Sequence, residues 1–521
     1  MTNAALRNGR SEASIRRRDA SRRHKKHASP RALQFTAQVW ELPEQQRSAR
    51  ARGLKKTRLT LFLTLRAAVA LRAPLRRVAT MKRAAAAAEA PGAKAAAVDP
   101  RGVGKPELAR KPGEARIPKR KLALLLSYRG TQYHGLQRQT DPSLKTIEGE
   151  MRVALAKAGA VSPENAEDLS KIGWSRSART DKRVSAAQNI VAAKLEVEND
   201  DVDALVARIN DELPDDIRVF DAVRVTKSFN CKQSCDRRRY AYLLPSVLLA
   251  SNDEIDAAFA AVGYGSEKIE ACRHAVALAK REGARPSDWQ ISDEAARQVA
   301  SSFATCRASP DAVERLRNFL RCYVGTRRYH NFTKNLKASD EQAKRFILEF
   351  TACDPRIVSD STEWLRLEVV GQSFLLHMIR KMVAVASEAS RTDRGDPSSL
   401  LDGLTSDEAV NLQVAPGEGL YLAAPVFDNY NKYKAQPPQK PKLEWDSRHA
   451  KHDAIEKFRV EVIEDGIVQG GSSEALLPWV LYLWQVRLFG FPLSSEDPIP
   501  VPNPTVDANG RSSFSPAAAE G

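Results

Sequence analysis

Apolar residues recur along this chain at two spacings, one near two and one near 3.6. Leu122 to Tyr128 is an unbroken apolar run of strand length. Ile147, Met151, Ala154, Leu155 and Ala158 then share one helical face, with Thr146 placed to cap the first turn and Gly159 to end it. Ile190 to Leu195 reads as a strand. Val202, Leu205, Val206, Ile209 and Leu213 predict a second helix over 203–213, stopped by Pro214. Ile217, Val219, Val223 and Val225 alternate as a half-buried strand does.

The same alternation returns later. Tyr240, Tyr242 and Leu244 predict a strand, and Val313, Leu316, Leu320 and Tyr323 a helix over 312–323. Phe346, Leu348 and Phe350, then Leu365, Leu367 and Val369, predict two more strands. Gly371 to Val383 opens a helix with Phe374, Met378, Met382 and Val385 as its apolar seam. His377, Arg380 and Lys381 fall on one other side, which periodicity reads as solvated. Strand–helix order over 122–225 thus recurs over about 240–383, and an α+β fold of two related halves follows.

Between these segments the pattern weakens. Residues 246–310 are rich in Ala, Asp, Glu and Lys and read as an insertion, helical or loose. The expected parts are an extension over 1–120, a first half over 121–245, that insertion, a second half over 311–433, a helical extension over 434–490 and a disordered tail over 491–521. The most apolar stretch of the extension, Leu59 to Leu71, is cut by Arg66 and is too short to span a membrane.

Charge sharpens this division. The chain of 521 residues carries a net +18, yet its first 120 residues hold 30 Lys/Arg against 8 Asp/Glu, and the remaining 401 hold 52 against 56. The basic excess belongs to the extension, so any anionic partner of the body must meet a local basic patch rather than a basic protein. Within the extension, Arg16–Arg18 and Arg22–Lys26 form a basic cluster of the kind that serves as a nuclear-import signal or RNA tail. Leu59 to Arg83 alternates Leu, Ala and Val with Arg and contains no acid, as organellar transit peptides do. Met81, inside it, is a second candidate start. The six cysteines are scattered, with no second Cys or His pair at zinc-ligand spacing beside Cys231 and Cys235. Neither a structural metal nor a disulfide is expected.

Candidate chemistry concentrates in Ile172 to Ala187. Asp181 is the only carboxylate between Asp168 and Glu196, and Arg176, Arg179, Lys182 and Arg183 stand around it. Four cations near one anion are expected to hold it ionised, and an ionised carboxylate can serve as nucleophile or base. The same loop also reads as a surface turn whose Asp pairs with an Arg. Gly130 and Gly135 bracket an aromatic, polar loop holding Tyr133 and Gln137. Arg237, Arg238 and Arg239 precede Tyr240 and Tyr242, which share a strand face, an arrangement suited to unstacked bases and phosphates as well as to plain sheet packing. His330 is an acid–base candidate by type, but no acid partner sits near it in sequence, which favours a hydrogen-bonded structural histidine.

These stretches carry a resemblance. Ala178-Arg179-Thr180-Asp181-Lys182 with Val184-Ser185-Ala186 resembles the catalytic loop of the TruA family of tRNA pseudouridine synthases, most closely its eukaryotic multisite branch. Arg183 departs from that pattern, which has Gly there. The other signatures stand in family order around it: residues 128–137 before the loop, then Arg238-Arg239-Tyr240-Ala241-Tyr242-Leu243-Leu244-Pro245, Gly325 to Thr333, Gln372 to Met382 and Ala415 to Leu422. Together they cover about 121–433.

The resemblance implies a pseudouridine synthase fold, with the two halves sharing a long, mostly antiparallel sheet around a central RNA-binding cleft. It implies an isomerase that needs no cofactor and no metal and acts on tRNA, with other structured RNA as further candidates. No obligate protein partner and no membrane attachment are expected. Asp181, Arg179, Tyr240 and Arg380 become catalytic, and Tyr133, Gln137, Arg238, His330, His377, Lys381 and Leu422 substrate-binding. The nucleus, the mitochondrion or both are the expected compartments, with a plastid also compatible. The Gly-to-Arg departure at 183 supports one alternative, an RNA-binding paralogue without turnover.

Overall fold

The computed structural model describes residues 117–281, 290–359, 361–392 and 395–492, together with 505–506 and 512–513. The targeting signals read in the extension lie outside the described residues. So does most of the tail, apart from a short antiparallel pairing of Thr505–Val506 with Ser512–Ser513.

Ten strands form one mixed sheet: β1 (Lys119–Tyr128), β2 (Ser175–Arg176), β3 (Ser185–Glu196), β4 (Ile217–Arg224), β5 (Arg237–Pro245), β6 (Gly325–Arg328), β7 (Lys344–Ala352), β8 (Arg356–Ile357), β9 (Glu363–Gly371) and β10 (Leu420–Val426). Their order is β4-β1-β3-β10-β5-β9-β7-β6, with β2 added to β3 and β8 to β9. Among these strands only β10 and β3 pair in parallel. The helices of ten residues or more are α1 (Ile147–Lys157), α2 (Val202–Asp211), α3 (Asn252–Ala261), α4 (Ser266–Arg281), α5 (Asp293–Ser302), α6 (Pro310–Cys322), α7 (Met378–Thr392) and α8 (Leu477–Phe489).

Local chemistry accounts for most of these boundaries. Thr146 accepts a hydrogen bond from Gly149 N at the start of α1, and Asp201 caps α2 through Ala204 N. The uninterrupted run Leu122–Leu126 is fully buried, as a strand covered on both faces must be. On one face Ala123 and Leu125 join Ile190 and Ala192 of β3 in a core completed by Phe427, Tyr430, Leu443, Trp445 and Ile455. The segment after β10 is therefore a cover for the sheet. The strand also starts at Lys119, so the last two residues of the expected extension belong to the body.

Three expectations need correction. Alternation placed Phe346 with Leu348 and Phe350, but the pairing of β7 with β9 shifts register between Ile347 and Glu349. That irregularity reverses the side-chain phase. Ile347 and Phe350 point inward, and Phe346 is exposed. The helix expected to open within 371–383 begins only at Met378, because His377 has φ +62° and 372–377 form a turn. Lys381 is not solvated either. It is 4% exposed, and its ammonium donates to the carbonyls of Asn331 and Thr333.

The stretch 246–310, read as an insertion, carries α3, α4 and α5, and α8 packs against α4 and α5. A second cluster ties the C-terminal segment to β9 and β10. Tyr421 Oη donates to Glu464, Arg459 Nη1 lies 2.5 Å from the same carboxylate and Arg366 Nε 3.7 Å from it, all of them buried. Glu464→Ala leaves two buried guanidiniums short of a counter-charge, for which unfolding in urea should show a loss of about 3 kcal/mol.

Candidate active site

The sheet order sets the centre of the molecule. Leu422 of β10 is opposite Tyr240 of β5 on one side and Ala186 of β3 on the other. Asp181 lies four residues before β3, at the end of the loop that β2 starts. That loop is bonded at almost every residue. Ser177 Oγ donates to Asn189 Oδ1 at 2.7 Å, Asn189 Nδ2 reaches Ala178 O and Tyr128 Oη, and Thr180 Oγ1 is 2.9 Å from Tyr128 Oη. Leu136 N donates to Thr180 O, and Arg183 N to Tyr133 O.

Glycines permit this close approach. A Cβ on Gly130 would sit 2.1 Å from Val184 O, and one on Gly135, whose φ is +95°, 2.8 Å from Thr180 O. The loop read as bracketed by glycines is thus a seat for the Asp181 loop.

Arg183 has φ +66°, the left-handed region in which a glycine costs nothing. The arginine bears a strain of about 1–2 kcal/mol there. Its Nη1 pairs with Glu418 Oε1 at 2.7 Å.

The four cations near Asp181 in sequence do not set its ionisation. Arg176 pairs with the buried Glu148 at 2.6 Å, Arg183 with Glu418, and Arg179 is exposed. Instead, burial raises the Asp181 pKa, opposed by Arg380 and by a hydrogen bond from the backbone N–H of His377. Arg380 is itself held by Nε donation to Ala415 O at 2.6 Å. The His377 ring has its Nε2 3.9 Å from Asp181 Oδ2. Burial, together with Arg380, Lys334 and Lys381, lowers its pKa to about 3, so the ring is neutral and forms no ion pair at neutral pH.

An open cleft of about 420 Å³ lies over the carboxylate, lined by Gln137, Arg138, Arg179, Lys182, Leu376 and His377 among others. Tyr240 is near enough for Asp181 to help raise its hydroxyl pKa, though burial is the larger cause. Its ring meets Phe374 edge-on at 5.3 Å.

The structure thus gathers Asp181, Arg380, His377, Tyr240, Arg179 and Gln137, with Leu422 buried beside Tyr240. Four other candidates are engaged elsewhere. Tyr133 is buried and donates to Asp216 Oδ1 at 2.7 Å. Arg238 donates to the carbonyls of Ser177 and Gln372, clamping the Asp181 loop to the turn before α7. His330 Nε2 lies 3.3 Å from Glu408 O, and Lys381 holds 331–333.

Periodicity and spacing missed the turn 415–419 as a structural partner of the site. A Cβ on Gly417 would lie 3.1 Å from Lys182 O and 3.5 Å from Arg380 Cζ. The signal was present as two glycines in five residues. The turn is held from behind: Trp479 Nε1 donates to Tyr242 Oη, which donates to Pro416 O. Nothing in the sequence pattern linked Trp479 to the site.

A family model described as tRNA pseudouridine synthase matches residues 320–428. The tRNA pseudouridine synthase 1 of Kluyveromyces lactis is 36% identical over 351 residues, 61% of this chain and 62% of that protein. The protein of the same name in Yarrowia lipolytica is 33% identical over 389 residues, covering 68% of this chain and 72% of that one. The Pseudouridylate synthase 1 homolog of Mus musculus is 32% identical over 367 residues, 70% and 74% of the two chains. The chain therefore spans a little over three fifths of the Kluyveromyces relative and nearly three quarters of the mouse one.

The low His377 pKa has a testable consequence. Unfolded, this group takes up a proton below its ordinary 6.5; folded, it waits until about 3. It therefore withdraws stability as pH falls from 6.5 toward 3. His377→Asn, which tolerates positive φ, should lose less in urea midpoint between pH 7 and pH 5 than the parent protein.

Proposed function

This chain belongs to the tRNA pseudouridine synthase family, and we propose that it isomerises uridine to pseudouridine in tRNA with Asp181 as the essential carboxylate. The observation that carries the reading is the setting of Asp181. It is a largely desolvated carboxylate lining an open cleft, with the Arg380 guanidinium and a backbone N–H opposing the rise in pKa that burial causes.

The chemistry asks for such a group. The target uridine must leave its stack to reach the cleft. Its C1′–N1 bond breaks, the base turns, a C1′–C5 bond forms, and the C5 proton is lost as N1 gains one. Asp181 serves either as a nucleophile toward the ribose C1′ or the uracil C6, or as the base that frees a glycal. Each role needs the ionised form, and each gains from a site where fixed charges replace water. Arg380 supplies that compensation. Tyr240, kept protonated by burial, and Leu422 beside it form the apolar support for the base. Arg179, Lys182 and Arg138 offer the basic rim that a phosphate backbone requires.

Several finer points belong to the same reading. The strands on the two sides of β10 act as the two halves of the catalytic body, with β5, expected in the first half over 121–245, standing beside the strands of the second; the cleft between them is the RNA-binding cleft, and the extension directs the protein to the nucleus, the mitochondrion or both. The RNA-binding paralogue without turnover was motivated by a loop that Arg183 would misshape. The left-handed backbone of Arg183 supports the active reading instead, since it is the conformation a glycine would supply.

The test is pseudouridine formation on unmodified tRNA transcripts. Asp181→Asn should reduce turnover by at least about a thousandfold while leaving tRNA binding intact. Because burial places the Asp181 pKa above 3.8, the acid limb of kcat/KM for the parent enzyme should lie above that value, activity falling as the carboxylate takes up a proton. Binding without product from the parent enzyme would favour the paralogue without turnover.

A further inference from the structure

Glu418 lies between two arginines. Its Oε1 is 2.7 Å from Arg183 Nη1, and its charge also acts on Arg380. Arg380 in turn acts on Asp181. The charges therefore alternate from the cleft inward: Asp181, Arg380, Glu418, Arg183. The turn carrying Glu418 runs close to the Asp181 loop and to Arg380, since a Cβ on Gly417 would lie 3.1 Å from Lys182 O and 3.5 Å from Arg380 Cζ.

Two carboxylates thus compete for one guanidinium. Arg380 has its Nε committed to Ala415 O, and the charges of both Asp181 and Glu418 act on the same guanidinium. Arg183 is held in a left-handed backbone that favours glycine, and its side chain is directed to Glu418.

We propose that Arg183 is a positioning residue, which by pairing with Glu418 withdraws that carboxylate from Arg380 and leaves the Arg380 charge to Asp181. The inference rests on the isomerase reading above. It makes Arg183 and Glu418 a matched pair: an acid in the 415–419 turn is tolerated because an arginine stands at 183. The other charged and titratable groups facing Asp181 are His377 from the turn before α7, Tyr240 from β5, and Arg179 and Lys182 from its own loop, with His134 and Arg138 across the cleft.

The experiment is steady-state turnover of unmodified tRNA transcript between pH 5 and pH 8 by the full chain, Arg183→Gly and Arg183→Gly/Glu418→Gln. A purely structural arginine in a strained conformation predicts that glycine improves stability and leaves turnover alone. The inference predicts the same gain in stability but a loss of turnover. Arg183→Gly should keep or raise the melting temperature while kcat falls about fivefold and the acid limb moves to higher pH. KM should stay within about twofold, and the double variant should recover kcat to within about twofold of the parent. Arg183→Gly turning over like the parent overturns it. So does a loss confined to KM, or a loss that Glu418→Gln does not rescue, either of which makes Arg183 a direct RNA contact. Parent protein that binds tRNA and yields no product overturns the isomerase reading, and this inference with it.

Discussion

The site is built around a carboxylate drawn out of water beside a guanidinium. Burial alone drives Asp181 toward its neutral form. The counterweight is a guanidinium from a helix 199 positions further along the chain, plus one backbone N–H from the turn before that helix. The sheet order makes this meeting possible. Insertion of β10 between β3 and β5 sets the loop before β3 beside the strand that carries Tyr240, and it places the turn 415–419 against Arg380.

Precision at the site depends on elements far from it in sequence. Arg380 is bonded to Ala415, the next residue is held by Tyr242, and Tyr242 is held by Trp479 of α8. From the other side, Arg238 joins the Asp181 loop to the turn at Gln372. Arg238 and Tyr242, which read as suited to bases and phosphates, make bonds one layer back from the cleft. They fix the loop and turns whose side chains face the cleft, and a displacement of an ångström at such a layer is enough to weaken catalysis.

How much of this was legible follows from the range of each interaction. The strands and helices near 122–225 were readable because their determinants are local: an apolar period, a cap at Thr146, a stop at Pro214. The bulge in β7 was not, because register is decided by the partner strand β9. The turn at 372–377 was hidden by residues with ordinary helical periodicity and exposed only by the backbone of His377. Asp181 was singled out from its loop, but the account of its charge was wrong. Adjacent cations seemed sufficient, whereas Arg176 and Arg183 answer to Glu148 and Glu418, two acids that no local window contains. A charge next in sequence is a poor guide to a charge next in space.

The most direct test of this account is the acid limb of kcat/KM for Arg380→Gln compared with the parent enzyme on the same tRNA transcript. If Arg380 is what opposes the desolvation of Asp181, the limb should move to higher pH by about one unit. An unmoved limb, with turnover lost or kept, would mean that Asp181 owes its ionisation to something else and would contradict the arrangement described.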